Sequence, residues 1–323
     1  MAFEPPQRLV RALAENYGEA AAGEWLARLP KAAQAAVDRW QLDVERVLAP
    51  GGRSSLVLLV HTPDGAPAAL KVVPPFAAPA AERAALEHWD GWGAVRLLSS
   101  MDEADGGEPD GGALLLERLH PEVSLRSLPE AKALLEAAGT VRRLWVEPPA
   151  GHGFETVAER TERHAAAMVR HRADASFGPL VESALAARAE LVAGADADGA
   201  GAGTGVGAGR AVEAVLLHGD FRQSKVLAGD RTPWLAVGPA PVVGERAYDL
   251  ARLARDRAED LIASTAGAAG ARRRVNRLAD SLDVDRDRLR GWTLFRAVAS
   301  AARALGAGRR RDAELALEFA SWL

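Results

Sequence analysis

Cysteine is absent from this 323-residue chain, which excludes disulfides, thiolate metal sites and thiol nucleophiles together. Any metal must therefore sit on oxygen or imidazole. Aromatic residues are scarce at 5%, with eight Trp against two Tyr, and the Trp residues read as core and packing groups. There is no basic excess. A formal charge of -4 and a pI of about 6.0 give no electrostatic reason to expect nucleic acid as a partner. No apolar run approaches membrane-spanning length, and Glu4, Pro5, Pro6 and Arg8 interrupt the stretch where a signal peptide needs continuous apolar residues. The expectation is a cytoplasmic protein with no membrane partner.

What is present is enough apolar material for a large core. Hydrophobic residues make up 48% and charged residues 26%, so either one large domain or two lobes can form, and two lobes fit the length better. Residues 7–29 carry Leu9, Val10, Leu13, Tyr17, Trp25, Leu26 and Leu29 at helical spacing, which predicts one or two opening helices and a third short one over 32–40. The period then changes. LDVERVLAP, SSLVLLVHT and AALKVVPP are strand-like and separated by PGG and TPDGAP, an antiparallel meander with strong turn chemistry. AERAALEHWDGWG reads as a helix, and AVRLLSS and ALLLERLH as two further strands around a polar loop. After His120 the character is helical, broken by a Gly/Ala/Asp tract over 193–210 that predicts a flexible loop, then a buried strand VLLHGD and a hairpin KVLAGDRTPWLAVGP. The expected architecture is α+β and bilobal, with an antiparallel-sheet N-terminal lobe over 1–119 and a helical C-terminal lobe over 120–323.

The motif His218, Gly219, Asp220 follows an apolar run and precedes a hairpin. That is where a catalytic-loop Asp must stand to accept a proton from a substrate hydroxyl; taken alone, an ordinary turn explains it equally well. Its surroundings sharpen the reading. The string LLHGDFRQSKVLAGDRTPWLAVGPAPVVGERAYDLARL resembles the core of the streptomycin-type aminoglycoside phosphotransferases, which include hydroxyurea-resistance kinases and run roughly LLHGDLHPGNVL, WLAIDP and VGDPAYDLA. The likeness continues upstream through AALKVV, AERAALEHWDGWGAVRLL and ALLLERL.

The resemblance implies a protein-kinase-like fold and assigns roles residue by residue. Asp220, with His218, takes the catalytic place. Lys71 matches the lysine that grips nucleotide phosphates and Glu82 the carboxylate that holds it. Ser54 and Ser55 lie in the turn that covers the phosphates, and Glu117 lies in the segment whose backbone receives adenine. Asp249 matches a residue that braces the catalytic loop. Two positions depart from the pattern: the family's metal-binding Asn is Lys225 here, and the Asp of WLAIDP is Gly238. An ammonium cannot ligate a cation and glycine offers no side-chain oxygen. Losing several kcal/mol of charge stabilisation would cost on the order of 10³-fold in rate. Ala299 likewise stands where the family places an acidic residue, which argues against a polycationic aminoglycoside substrate.

Three readings follow from the departures. The leading one is a pseudokinase that binds a small molecule, or ATP or another nucleotide without metal, or acts as a regulatory protein with a protein partner; Mg2+ is not expected. The second is an atypical ATP-dependent phosphotransferase acting on a hydroxyl, with metal on Asp220 or Glu245. The third is a kinase fold repurposed for natural-product chemistry.

Overall fold

The strand-like segments of the N-terminal half form a five-stranded antiparallel sheet in the computed structural model, which describes residues 3–101, 112–199 and 213–323. Its strands are β1 (Asp43–Val47), β2 (Leu56–His61), β3 (Pro67–Val73), β4 (Leu97–Met101) and β5 (Gly112–Glu117), in the order β1-β2-β3-β5-β4. The central strands are buried along nearly their whole length, whereas β1 and β4 are mostly partly or fully exposed, as a sheet covered on its middle requires. Two helices supply that cover: α1 (Gln7–Tyr17) and α2 (Glu19–Arg39) place Leu9, Leu13, Trp25, Leu29 and Ala33 in one core with Leu58 and Leu70.

The third short helix expected over 32–40 is instead the second half of α2, which runs through Pro30. Proline removes one ladder bond, yet the buried face of Trp25, Leu29, Ala33 and Ala36 continues on both sides of it and holds the helix together. After β3 the chain enters α3 (Pro79–Trp89).

The chain divides into two compact units, one of residues 1–127 with 226–240 and one of residues 128–225 with 241–323. This differs from a single cut after Leu119 in two respects. His120–Ser124 is a further strand, β6, at the point where helical character is expected to begin, and it pairs with β8 (Val226–Ala228), which pairs in turn with β9 (Trp234–Ala236). The hairpin therefore belongs with the first unit.

The second unit is mainly helical: α4 (Glu130–Leu144), α5 (Val157–Val169), α6 (Gly178–Gly199), α7 (Arg246–Ala254), α8 (Ala258–Ile262), α9 (Gly267–Leu282), α10 (Arg286–Gly306) and α11 (Arg310–Ser321), with one small sheet of β7 (Val215–Leu217) and β10 (Val242–Gly244). Helix α10 is its axis, packing on α5, α6, α7, α9 and α11. The alanines Ala297, Ala301, Ala302 and Ala304 are buried on it, and such small side chains let neighbouring helices approach closely. The start of the Gly/Ala/Asp tract, expected to be loop, continues α6 to Gly199; its remainder, and the polar loop between β4 and β5, lie outside the described residues.

Candidate active site

In the first unit, Lys71 sits in the middle of β3, opposite Val57 on one side and Leu114 on the other. Glu82 lies in the first turn of α3. Both are buried, and the lysine Nζ meets both carboxylate oxygens at 2.5 Å. A carboxylate in the first turn also suits the helix dipole. The sequence pairing of Lys71 with Glu82 is thus made in space, and the ammonium is held in one place by a bidentate contact.

The turn after β1 carries Gly51 at φ +70°, where an added Cβ would lie 2.8 Å from the Leu48 carbonyl oxygen, so a side chain there is excluded twice over. Ser54 is exposed and Ser55 buried. Glu117, at the end of β5, has its carboxylate engaged: the Arg96 amide donates to it at 2.7 Å, and Arg231 of the hairpin at 2.7 and 3.1 Å.

In the second unit, β7 delivers the chain into His218, Gly219 and Asp220. The amides of His218 and Gly219 donate to Asp249 at 2.8 and 2.7 Å. From the other side Arg296 donates to the Gly219 carbonyl at 2.8 Å. Asp249 is fully buried, and that burial raises its pKa against the opposing pull of Arg296 and the two amides. Gly219, at φ +78°, turns the chain in a conformation that other residues rarely adopt. His218 is also fully buried, and its Nδ1 accepts from the Asp220 amide at 3.3 Å. Its ring therefore bears on the loop backbone.

Asp220 is surrounded by cations. Its carboxylate lies 2.7 Å from the Lys225 ammonium, 3.1 Å from Arg252 Nε and 3.7 Å from Arg222 Nε. Burial pushes its pKa up, but the charges of Lys225, Arg252 and Arg222 overcome this and hold it well below the ordinary value. Asp220 is a carboxylate at any physiological pH.

The remaining donors do not suit a divalent cation. Lys225 closes the turn after Asp220, and Gly238 presents no side chain at φ +60°. Glu245, the alternative carboxylate, is bound by both Arg288 nitrogens at 2.6 Å and by Trp292 Nε1. Among the described residues no group of three or more His, Asp or Glu side chains could hold a metal. Neither the Lys225 ammonium nor Gly238 offers a side-chain oxygen of the kind magnesium prefers.

The chain matches the family described as aminoglycoside/hydroxyurea antibiotic resistance kinase over residues 39–205 and 206–308. It belongs to that family. Among curated relatives, streptomycin 6-kinase of Streptomyces glaucescens is 32% identical over 306 residues, covering 92% of this chain and 90% of the relative. Hydroxyurea phosphotransferase of Kitasatospora aureofaciens is 35% identical over 290 residues, covering 88% and 75%. Of solved structures, amicoumacin kinase in complex with AMP-PNP, Ca2+ and amicoumacin superposes with a TM-score of 0.60 at 12% identity, covering 93% of this chain and 96% of that one. A thermostable mutant of aminoglycoside phosphotransferase APH(4)-Ia, in a ternary complex with ADP and hygromycin B, gives 0.58 at 16%, covering 89% of this chain and 96% of that one. The fold is the bilobal α+β fold of these kinases.

The family corrects the leading sequence reading. Relatives aligned along nearly the whole chain are named as kinases and phosphotransferases, so the pseudokinase reading is overturned in favour of phosphotransfer. Sequence reasoning also missed the arginines around Asp220. Arg252, on α7, and Arg255, the residue that caps its end, are three residues apart, and Arg296 and Arg303 are seven apart on α10; each spacing keeps a pair on one helical face, a signal legible in the string.

Proposed function

We propose that this chain is an ATP-dependent phosphotransferase that acts on a hydroxyl group of a small molecule. The observation that carries the reading is the closed, buried Lys71–Glu82 pair, the phosphate-positioning device of kinase-fold enzymes, in a chain whose relatives are named as kinases. In the reaction the bond between the γ-phosphorus of ATP and its bridging oxygen breaks, and ADP leaves with that electron pair. The acceptor oxygen bonds to phosphorus, and its proton passes to Asp220 or to solvent. With its pKa depressed by Lys225 and Arg252, Asp220 is a weak base. Its task is to orient the acceptor hydroxyl, which suits a loose transition state that needs little early proton abstraction.

The nucleotide binds without magnesium at the family's two positions. Lys225 is one of four lysines against thirty-six arginines in the chain, and its compact ammonium, fixed on Asp220, supplies positive charge there. Turnover is expected to be slow, by the rate argument given for the missing ligands.

The test is ADP release from ATP by the purified chain against a panel of hydroxylated acceptors, anionic, neutral and cationic. Acceptor-dependent release is expected, falling about 10²-fold or more in Asp220→Asn. ATP is expected to raise the melting temperature equally with magnesium or with a chelator. Release that no acceptor stimulates would refute phosphotransfer, and a melting shift that needs magnesium would refute metal-free binding.

A further inference from the structure

Helix α7 and the residue after it carry Tyr248, Arg252 and Arg255 at positions i, i+4 and i+7, and α10 carries Arg296 and Arg303 at i and i+7. Each set forms one stripe. The stripes meet, because the Arg296 guanidinium lies 4.2 Å from the Tyr248 ring centroid. Four guanidiniums are thus gathered on the two helices that flank the Asp220 loop, and their hydrogen bonds account for only part of them.

Arg252 donates to Asp220, a carboxylate already shared with Lys225 and Arg222. Arg296 donates to the carbonyls of Tyr248 and Gly219, which satisfies its nitrogens without a full countercharge. Arg255 and Arg303 make no hydrogen bond or ion pair among the described residues, and Arg255 Nε is buried with no acceptor. The Tyr248 hydroxyl is buried and likewise without a partner. Burial first, and then the charges of Arg252, Arg296 and Arg303, lower the pKa of Arg255 well below its ordinary value. On α5, burial and the charges of Arg303 and Arg296 lower the pKa of His164 to about 3.

A surface arginine finds water for its nitrogens, so solvent explains Arg303, which is exposed. Solvent does not explain a buried guanidinium nitrogen and a buried phenol both left open on one stripe, where the like charges of Arg252, Arg296 and Arg303 outweigh the pull of Asp220. Such groups cost free energy unless something binds them. A cationic ligand would add to the repulsion, and the α10 position that would offer a carboxylate is Ala299.

We propose that the acceptor is an anion, bearing a carboxylate, phosphate or sulfate that Arg255 and Arg303 receive while its hydroxyl is presented to Asp220. This rests on the phosphotransferase reading and narrows it to acidic hydroxylated metabolites, away from the cationic streptomycin of the relatives' names.

The test uses the full chain and begins with inorganic sulfate as the probe. Sulfate at millimolar concentration is expected to raise the melting temperature above that in chloride of equal ionic strength. Arg255→Leu is expected to melt higher than wild type without sulfate and to lose the sulfate response; Arg303→Gln should weaken that response alone. A variant that merely broke the structure would melt lower. Against the acceptor panel, anionic acceptors should be preferred, and either variant should raise their KM by about ten- to a hundredfold with the Kd for ATP unchanged. No sulfate response in wild type, or turnover confined to neutral or cationic acceptors, would overturn the anion assignment and leave phosphotransfer standing. A tenfold loss of ATP affinity in Arg255→Leu would assign the arginines to the nucleotide and overturn the acceptor site. Absence of turnover with every acceptor would refute phosphotransfer itself, while the sulfate measurement still decides the anion site.

Discussion

Lys71 and Glu82 illustrate how one side chain can carry function and strain stability at once. Both lie in a buried setting, joined by a bidentate contact. Dehydrating two charges consumes much of what their attraction returns, so the pair adds little net stability, while removing one partner strands the other. Lys71→Met is therefore expected to destabilise the fold by about 3–5 kcal/mol. The double variant Lys71→Met with Glu82→Leu should recover most of that loss in urea unfolding and still bind no ATP. If the double variant is as unstable as the single, the pair holds the fold together on its own account and the phosphate-gripping role loses its physical motive.

At the scale of elements, β10 and α5 touch where neither can yield. Gly244 ends β10, pairing with Val215 of β7, and a Cβ there would fall within 3 Å of both Cβ and Cγ2 of Val157, the first residue of α5. Because Val157 branches at Cβ, no rotamer removes the collision. Gly244→Ala is expected to cost about 1–3 kcal/mol, and Val157→Ala in the same chain to return most of it, a coupling that a double-mutant cycle reads directly. Such close approaches are silent in the sequence, whereas periodicity is not. The alternation of SSLVLLVHT and AALKVVPP announces β2 and β3, and HGD with AYDLA announces Asp220 and its brace Asp249, because local pattern and motif carry that information. Strand β6 is hidden because His120–Ser124 contains a proline and becomes a strand only by pairing with β8, about a hundred residues later. The stripes of α7 and α10 are hidden for a similar reason: each spacing is visible, but their meeting at Tyr248 and Arg296 is a tertiary fact. Pro30 misleads in the opposite direction, since burial of the α2 face overrides a local breaker.

For the molecule as a whole, the first unit is assembled from two separate stretches of chain. Residues 226–240 leave the helical unit directly after Lys225 and complete the unit built from residues 1–127. Their attachment is specific. The Val95 amide donates to the Ala236 carbonyl and the Ala236 amide to the Gly93 carbonyl, both at 2.9 Å. Arg231 reaches Glu117 at 2.7 Å, and β8 satisfies the edge of β6. Without the hairpin, the strand edge and the Glu117 carboxylate lose these partners, a cost that falls on the unit carrying Lys71 and Glu82. Residues 1–127 alone are therefore expected to exchange the Val95 amide at least about tenfold faster than the same residues joined through a flexible Gly/Ser linker to 226–240. Hydrogen exchange followed by mass spectrometry reads this directly. Equal rates in the two chains would mean that the hairpin is a passenger on the sheet unit, and that the sequence division after Leu119 describes the folding unit better than the compact units do.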